Sequence, residues 1–455
     1  MTLPDALRHN VSLMHGWLPA VVQILAAAAL VVAIGRRNRR WRLVWLPWSA
    51  LLGGGLAMTV YWYVQSAGVA DDSNPAPHAL WIWIALSGVA LGVLVSGWGG
   101  ARWWRRVASV FAVPLALLSA GLTLNLWVGY SPTVQTAWDQ LTAGPLPDQT
   151  TRATVAVMRK KHNVPIKGSV VAVDIPDVAS GFRHRREFVY LPPAWFGTDP
   201  PPALPVVMMI GGEFNTPADW LRAGGAVKMI DDFAAAHGGN APVFVFVDSG
   251  GTFNNDTECV NGPRGNAADH LTKDVVPYMK SNFGVSDNSA NWGVVGWSMG
   301  GTCAVDLTVM HPDIFSTFED IAGDLAPNSG TEPETVDRLF GGNAAAYSSF
   351  DPTEVISRHG RYRGIAGWFD VNSAVGAAKP NDQAVAARSL CALGSRSGID
   401  CAVVTQPGNH DWPFAFDAFA SALPWLASTL GTPGVPRVNL PAPPQAVPVI
   451  DAAAK

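Results

Sequence analysis

A serine lies inside a glycine-flanked pentapeptide, Gly296-Trp297-Ser298-Met299-Gly300. The residues before it, 291–297, predict a short strand with a β-branched centre, and residues 301–310 after it predict an amphipathic helix. In a G-x-S-x-G elbow the serine lies on a strained turn between strand and helix, and glycines avoid clashes with the neighbouring elements. Ser298 is therefore a candidate nucleophile. The alternative is a helix N-terminus that contains a serine by chance.

A serine hydroxyl needs a base that takes its proton, and the base needs a carboxylate that orients it. His410 lies in a loop after a predicted strand, 400–405, and before a predicted helix, 414–430. A loop at the carboxyl end of a strand is the expected place for the catalytic histidine. We predict His410 as the base; the alternative is a loop histidine that caps the next helix. Three other histidines lack this setting: His270, His311 and His359.

Two carboxylates compete for the role of the acid. Asp370 lies within a predicted strand, 365–371, from which its side chain could point away from His410 as readily as toward it. Asp382 lies in the loop beyond that strand, at the start of a predicted helix, and a loop carboxylate reaches the histidine more easily. We predict Asp382 as the acid and keep Asp370 as the alternative. Asp382 could instead be a plain helix N-cap.

From about residue 205 to residue 430 the chain resembles the serine esterase family of α/β-hydrolases. That family includes feruloyl esterases, S-formylglutathione hydrolase, enterochelin esterases and the mycolyltransferases of the antigen 85 group. The matching pieces are Val206-Val207-Met208-Met209-Ile210-Gly211-Gly212 with Trp220 downstream, Gly296-Trp297-Ser298-Met299-Gly300-Gly301, His311-Pro312-Asp313-Ile314-Phe315 and Gly408-Asn409-His410-Asp411-Trp412.

The resemblance implies an α/β-hydrolase fold with a mostly parallel central sheet. It also implies that Ser298 attacks an ester carbonyl, that His410 relays the proton and that Asp382 holds the imidazole. The esterase branch places the acid just before the penultimate helix, which favours Asp382. The antigen 85 branch takes a glutamate from within that helix, where this chain has Arg388, Ser389 and Leu390. The chain departs from the mycolyltransferases at this point.

Two fixed backbone N–H groups are expected to stabilise the tetrahedral oxyanion. One is the amide of Met299, at the N-terminus of the elbow helix. By resemblance the second is the amide of Gly212, or that of Glu213 if the register differs by one residue; an ordinary tight turn is the alternative. Trp297 beside the nucleophile and Trp412 beside the base are expected to bind substrate as walls of the site.

The loop over residues 248–265 follows a predicted strand and should overhang the pocket. Its polar residues Asp256, Glu258 and Asn261 could contact a polar or cationic group of the substrate, or could serve turn and loop hydrogen bonding. No group of His, Cys and Asp residues has metal-ligand spacing, so we expect neither a metal nor another cofactor.

The four cysteines give an even count, which suits an oxidising compartment. Cys391 and Cys401 are close enough in sequence to pair, and Cys259 and Cys303 would then be the remaining pair. The sequence alone proves neither bond.

Four long apolar segments occupy the N-terminal part, at residues 18–34, 43–64, 79–96 and 107–128. Each has about the length needed to cross a hydrocarbon layer of about 30 Å, and Trp and Tyr residues cluster at their ends. They predict four transmembrane helices. The alternative is a buried helical bundle; a cleaved signal peptide would explain only the first segment.

The charges between these segments predict the orientation. The loops after the first and third segments are rich in arginine, and the loop after the second segment carries two aspartates. By the positive-inside rule the arginine loops lie in the cytoplasm, so the N-terminus and everything after Tyr130 lie outside. The residues are Arg36, Arg37, Arg39, Arg40 and Arg42, then Asp71 and Asp72, then Arg102, Arg105 and Arg106. The net charge of −4 gives no support for a nucleic acid partner.

The sequence thus predicts a four-span membrane domain over residues 1–130, a linker over 131–168, an α/β-hydrolase esterase domain over 169–431 and a Pro/Ala-rich tail over 432–455. The predicted protein is an extracytoplasmic, membrane-anchored serine esterase that acts on a lipid or cell-envelope ester. An envelope acyltransferase that resembles mycolyltransferases is a first alternative. A noncatalytic membrane scaffold with a hydrolase-like core is a second, and protein partners are left open.

Overall fold

The structure is a computed structural model, and it describes residues 11–14, 16–35, 38–66, 76–142, 144–161, 163–373 and 381–441. Several residues used in the predictions lie outside the described residues, namely Arg36, Arg37, Asp71, Asp72 and the end of the tail, 442–455.

Four long apolar helices form the N-terminal part, as predicted. They are α1 (Trp17–Ile34), α2 (Leu46–Ser66, continuous with the π-helical turn Trp41–Trp45), α3 (His78–Gly97) and α4 (Trp103–Val128). The backbones of α2 and α3 approach closely, because a Cβ on Gly88 would lie 2.7 Å from the Cα of Gly53. In each helix only 11% to 33% of an 18-residue apolar window is buried, so most of the apolar surface faces outward. By length and composition, all four could cross a membrane.

The rest of the chain is built on a nine-stranded sheet. Its strands are β1 (Gln149–Thr150), β2 (Ser169–Val173), β3 (Glu187–Leu191), β4 (Val206–Ile210), β5 (Val243–Val247), β8 (Trp292–Trp297), β9 (Thr317–Ile321), β10 (Ala366–Ser373) and β11 (Asp400–Pro407), while β6 (Asn261–Gly262) and β7 (Gly265–Asn266) form a separate hairpin.

The order of the strands is β1-β2-β3-β5-β4-β8-β9-β10-β11. β3 is antiparallel to both of its neighbours, and all other pairs in this sheet are parallel. Apart from the two-residue β1, this is an eight-stranded sheet whose second strand is antiparallel and whose third and fourth strands exchange places. It is the topology of an α/β-hydrolase, so the predicted fold class is confirmed.

Helices precede, follow and cover the sheet. They are α5 (Val134–Leu141), α6 (Arg152–Lys160), α7 (Pro217–Arg222), α8 (Ala226–Ala236), α9 (Val276–Phe283, after the turns Ala267–Asp269 and His270–Val275), α10 (Met299–Met310), α11 (Glu332–Phe340), α12 (Ala344–Phe350), α13 (Pro352–His359), α14 (Asp382–Arg396) and α15 (Trp412–Thr429). The predicted linker therefore contains two helices and β1, which extends the sheet beside β2.

Both faces of the sheet are buried, which explains why its parallel strands are unbroken apolar runs. Along β4, Val206 and Met208 face a core that includes residues of α9 and α10. Val207 and Met209 face a second core, which includes residues of α8 and α15.

Two disulfides connect loops and strands to helices. Cys259 bonds to Cys303 on α10, and Cys391 on α14 bonds to Cys401 on β11, with Cα separations of 5.6 and 5.7 Å. Both pairs are those suggested by the sequence. The first bond attaches the loop over residues 248–265 to the elbow helix.

Candidate active site

Ser298 is the single residue between β8 and α10, on the sharp turn that the sequence predicts. Its backbone has φ 57° and ψ −122°, a combination that non-glycine residues rarely adopt and that costs conformational energy. The flanking glycines are required sterically. A Cβ on Gly296 would overlap the Gly300 carbonyl, and a Cβ on Gly300 would lie 2.5 Å from the carbonyl oxygen of Ile210. The turn thus brings the serine against the end of β4.

The predicted nucleophile and the predicted base lie together. His410 Nε2 is 2.8 Å from Ser298 Oγ, although the two residues are far apart in sequence. His410 is in the loop between β11 and α15, at the carboxyl end of the strand. When Nε2 carries no proton, the serine hydroxyl donates a hydrogen bond to it, which is the arrangement that activates a serine nucleophile.

Aromatic rings hold the imidazole. The Trp297 ring stacks on the His410 ring with centroids 4.3 Å apart, and Trp412 lies 6.3 Å from Trp297. Trp297 is 5% exposed and Trp412 is 1% exposed, so both rings belong to the buried packing around the base rather than to an open wall. Their contact with substrate stays a prediction.

Asp382, the predicted acid, forms no hydrogen bond to His410 in the described part of the chain. It is exposed in the first turn of α14. Asn381 is the N-cap, because its Oδ1 accepts from the Ala384 N–H at 2.9 Å. The interpretation of Asp382 as a plain cap is therefore wrong, and its role as the acid stays a prediction.

The start of α14 nevertheless connects to the loop of the base. Asn381 Nδ2 donates to the Asn372 carbonyl at 3.0 Å, and Asn372 Nδ2 lies 3.5 Å from the Gly408 carbonyl. Asp382 follows Asn381, so it lies one residue beyond this chain of hydrogen bonds. The segment that leads into it, 374–380, is outside the described residues.

Asp370, the alternative acid, is fully buried on β10. The Trp368 Nε1–H donates to one carboxylate oxygen at 2.7 Å and the Gln406 side-chain amide donates to the other at 2.8 Å. Burial raises the pKa of Asp370 to about 7, although both hydrogen bonds oppose the increase. Its two oxygens are thus bonded to neighbours on β10 and β11, and neither forms a described bond to His410.

The predicted oxyanion donors lie at the ends of β4 and β8. Met299 begins α10, so its amide points out of the helix N-terminus. Gly212 approaches the nucleophile, since a Cβ on it would lie 3.3 Å from the Ser298 Cβ, but its N–H donates to Asn215 Oδ1 at 2.8 Å. The Glu213 amide has no hydrogen-bond acceptor among the described residues, which favours it as the second donor.

A partly buried ion pair that no sequence pattern indicated contacts the predicted oxyanion loop, residues 211–215. Arg185 Nη2 donates to the Asn215 carbonyl at 2.8 Å and to Asp248 Oδ1 at 2.6 Å. Asp248 is 1% exposed and follows β5, and its second oxygen accepts the Arg185 backbone N–H. Of these residues only Asp248 could have been found from the sequence, because a carboxylate directly after an apolar strand is a recognisable pattern.

The polar residues of the loop over residues 248–265 bond mainly within the protein. Arg264 pairs with Asp256 at 3.4 Å, and Asn261 Nδ2 donates to Asp269 at 2.9 Å. Glu258 is buried, and burial and then the charge of Asp256 raise its pKa well above the usual value. Their hydrogen bonding supports the structural alternative, and contact with substrate stays a prediction.

Glu213 differs from these residues because it belongs to the oxyanion loop itself. Burial, and then the negative charge of Asp256, raise the pKa of Glu213 to about 8. Its carboxyl group is therefore mostly protonated at pH 7. If this loop binds an oxyanion as predicted, a neutral Glu213 adds no negative charge beside it.

One group of described residues could hold a metal, namely His184, Glu187 and His270, whose ligand atoms lie within 4.8 Å of one another. Both nitrogens of His184 contact carbonyl oxygens, at 2.8 and 2.9 Å, and the two imidazole rings stack at 4.3 Å. Burial lowers the pKa of His184, but Glu187 and these carbonyls outweigh it and raise the pKa overall. Stacked rings are poorly directed at a common ion, so the group fits a hydrogen-bonded cluster better.

The match to a protein family agrees with the resemblance. The family model described as "Putative esterase" matches residues 182–420. The "Uncharacterized protein Cgl0967/cg1104" of Corynebacterium glutamicum is 27% identical over 425 residues, which cover 90% of this chain and 95% of that protein.

Similar solved structures cover less than two thirds of this chain and nearly all of their own. An S-formylglutathione hydrolase from Agrobacterium tumefaciens is 18% identical with a TM-score of 0.47, over 59% of this chain and 98% of that chain. A ferulic acid esterase is 17% identical with a TM-score of 0.46, over 58% and 99%. MPT51 (FbpC1) of Mycobacterium tuberculosis is 17% identical with a TM-score of 0.40, over 58% and 100%.

The family match covers more than half of the chain, and it includes both Ser298 and His410. The sheet topology is independent of that match and is that of the fold implied by the resemblance. The chain is therefore an esterase-family hydrolase: it belongs to the esterase family.

Proposed function

We propose that the protein is a membrane-anchored serine esterase that hydrolyses a carboxylic ester through an acyl-enzyme. The distance of 2.8 Å between Ser298 Oγ and His410 Nε2, on a strained strand-to-helix elbow, is the observation that carries this proposal. A scaffold would not need the strained backbone of this turn, because such strain costs conformational energy.

Four steps follow from this geometry. His410 Nε2 takes the Ser298 proton while Oγ attacks the ester carbonyl, and the oxyanion accepts hydrogen bonds from the Met299 amide and from the Glu213 or Gly212 amide. The tetrahedral intermediate then collapses, and His410 returns the proton to the leaving alcohol. Water next attacks the acyl-enzyme while His410 takes its proton, and the second tetrahedral intermediate collapses to release the acid as His410 returns that proton to Ser298 Oγ. Asp382 is the proposed acid that orients the imidazole.

The active site is proposed to lie outside the cytoplasm. The arginines of the α1–α2 and α3–α4 loops lie at one end of the apolar helices. The opposite ends contact the sheet-containing part, with which the hydroxyls of Tyr63, near the end of α2, and Tyr130, after α4, form hydrogen bonds. The positive-inside rule then places the catalytic part outside. Two disulfides fit an oxidising compartment.

A lipid or cell-envelope ester is the proposed substrate. The loop that begins after β5 contacts the apolar helices directly, since Asn254 Nδ2 lies 3.3 Å from the Tyr63 hydroxyl. An active site attached at the end of membrane helices meets esters in that membrane at a high effective concentration. An envelope acyltransferase is the second candidate, because a sugar or lipid hydroxyl could replace water at the same acyl-enzyme.

A fluorophosphonate probe tests the serine mechanism. We expect the wild-type protein to be labelled and Ser298→Ala to remain unlabelled, because the probe phosphonylates only an activated serine. The measurement is gel fluorescence with the full chain in detergent. Wild-type protein that is folded but never labelled would favour the noncatalytic scaffold.

Substitution of the two candidate acids tests the assignment of Asp382. We expect Asp382→Asn to lower kcat by about 10⁴-fold with little change in Tm, because it removes the charge that stabilises the imidazolium at an exposed position. Asp370→Asn should lower Tm more than kcat, because that carboxyl is buried between two N–H donors. The opposite ranking of the two kcat values would assign the acid to Asp370.

Cysteine labelling of intact cells tests the orientation. We expect a membrane-impermeant maleimide to label Val178→Cys, because Val178 is 89% exposed on the catalytic part. Arg40→Cys, in the α1–α2 connection, should be labelled only after the membrane is permeabilised. The reverse pattern would place the active site in the cytoplasm.

The fate of a labelled acyl group separates hydrolysis from transfer. We expect an envelope lipid that carries a radiolabelled acyl chain to yield labelled free acid when it is incubated with the full-length protein. Ser298→Ala is the control and should release none. Label that appears on a second hydroxyl acceptor rather than in free acid would establish the acyltransferase instead.

A further inference from the structure

The fourth apolar helix ends directly against the loop of the base. Gly129 caps α4 in a left-handed conformation with φ 64°, and its N–H donates to the Asn125 carbonyl. A Cβ on Gly129 would overlap the Cβ of Asp411 and would lie 2.9 Å from the Cα of Asp411 and 3.1 Å from the Trp412 nitrogen. Asp411 directly follows His410 in the chain. The backbone at the helix end is thus in close contact with the backbone beside the base.

The next residue reaches the other side of the site. The Tyr130 hydroxyl donates to Asp219 Oδ2 at 2.9 Å, and Asp219 is 2% exposed. The same carboxylate oxygen accepts from the Thr216 N–H at 2.6 Å and from its hydroxyl at 3.0 Å. Thr216 directly follows Asn215, the residue that accepts the Gly212 N–H. Tyr130 therefore connects the helix end to the oxyanion loop.

Buried rings join these two contacts into one packed group. Tyr130 packs against the core cluster that contains Trp220, Trp412 and Trp297. Ring centroids are 5.1 Å apart between Trp220 and Trp412, 6.3 Å between Trp412 and Trp297, and 4.3 Å between Trp297 and His410. Because close-packed interiors transmit displacement, a shift at the helix end reaches the imidazole.

We propose that Gly129 and Tyr130 are positioning residues of the active site, so that the apolar helices form part of the catalytic geometry and are more than a tether. The inference rests on the proposed serine esterase function. The hydrogen bond of 2.8 Å between Ser298 and His410 leaves little tolerance, since a misplacement of about 1 Å can cost about 100-fold in rate. Both positioning residues precede the esterase-family match, which begins at residue 182, so this contact is an addition to the family unit.

Gly129→Ala tests the backbone contact in the full chain. Its matched control is Gly100→Ala, because Gly100 has φ 72° and a Cβ there would meet no atom within 4 Å. An alanine at either position has the strain of a left-handed backbone, but only the alanine at position 129 would overlap Asp411. With p-nitrophenyl acetate and detergent-solubilised, monodisperse protein, we expect Gly129→Ala to lower kcat about 10-fold or more with KM nearly unchanged. Gly100→Ala should match the wild type.

Tyr130→Phe tests the second contact and keeps the inference falsifiable if Gly129→Ala does not fold. It removes only the hydroxyl that bonds to Asp219. Its control is Tyr61→Phe, on α2, whose hydroxyl has no hydrogen-bond partner among the described residues. We expect Tyr130→Phe to lower kcat and the rate of fluorophosphonate labelling together by about 3- to 10-fold, as for a modest loss of positioning. A purely structural role would lower Tm and leave both rates per folded molecule unchanged.

The outcomes separate this inference from the proposed function. If the wild type is labelled and the folded Gly129→Ala and Tyr130→Phe variants react at the wild-type rate, the helix end has no positioning role and the esterase proposal stands. If the wild type is never labelled, the esterase proposal itself fails and takes this inference with it. Slower labelling and lower kcat in Tyr130→Phe, with both controls normal, support the inference.

Discussion

The strained turn at Ser298 is the constraint on which the rest of the site depends. A residue with φ 57° and ψ −122° is stable only where its surroundings leave no alternative. Here β4 passes so close to the turn that Gly300 must lack a side chain. The same proximity places the end of β4, with its amides, beside the serine. The proposed nucleophile and the proposed oxyanion donors are thus fixed by one packing arrangement, before any substrate is bound.

The groups around this turn are held by partly buried polar bonds as well as by apolar packing. Arg185 and Asp248 form an ion pair beneath the oxyanion loop, and Asn215 links that pair to Gly212. Arg185 is partly exposed and Asp248 is buried, so the loss of hydration offsets much of the Coulomb attraction and the pair adds little net stability. Its value here is geometric, since it fixes the direction in which the loop presents its amides.

Sequence patterns revealed the parts of the site that depend on local structure. The elbow and the apolar strands were predicted because glycine spacing and apolar runs are signals within one element. His410 was predicted because it follows a strand end. The acid was harder to predict, because the choice between Asp370 and Asp382 depends on the direction of each side chain relative to His410. Arg185, Asn215 and the contact of Gly129 with Asp411 join distant segments, and no local pattern records such contacts.

The proposed hydrolysis and the proposed acyl transfer share every step up to the acyl-enzyme, and they differ only in the hydroxyl that His410 activates next. Residues that set the distance from Ser298 to His410 therefore affect both reactions equally. The acceptor is selected instead by what surrounds the mouth of the site. At the end of apolar helices that mouth would meet both bulk water and membrane hydroxyls. In this proposal the loop over residues 248–265, which the Cys259–Cys303 bond attaches to the elbow helix, would select between them by limiting the access of water, because exclusion of water leaves the acyl group available to a bound acceptor.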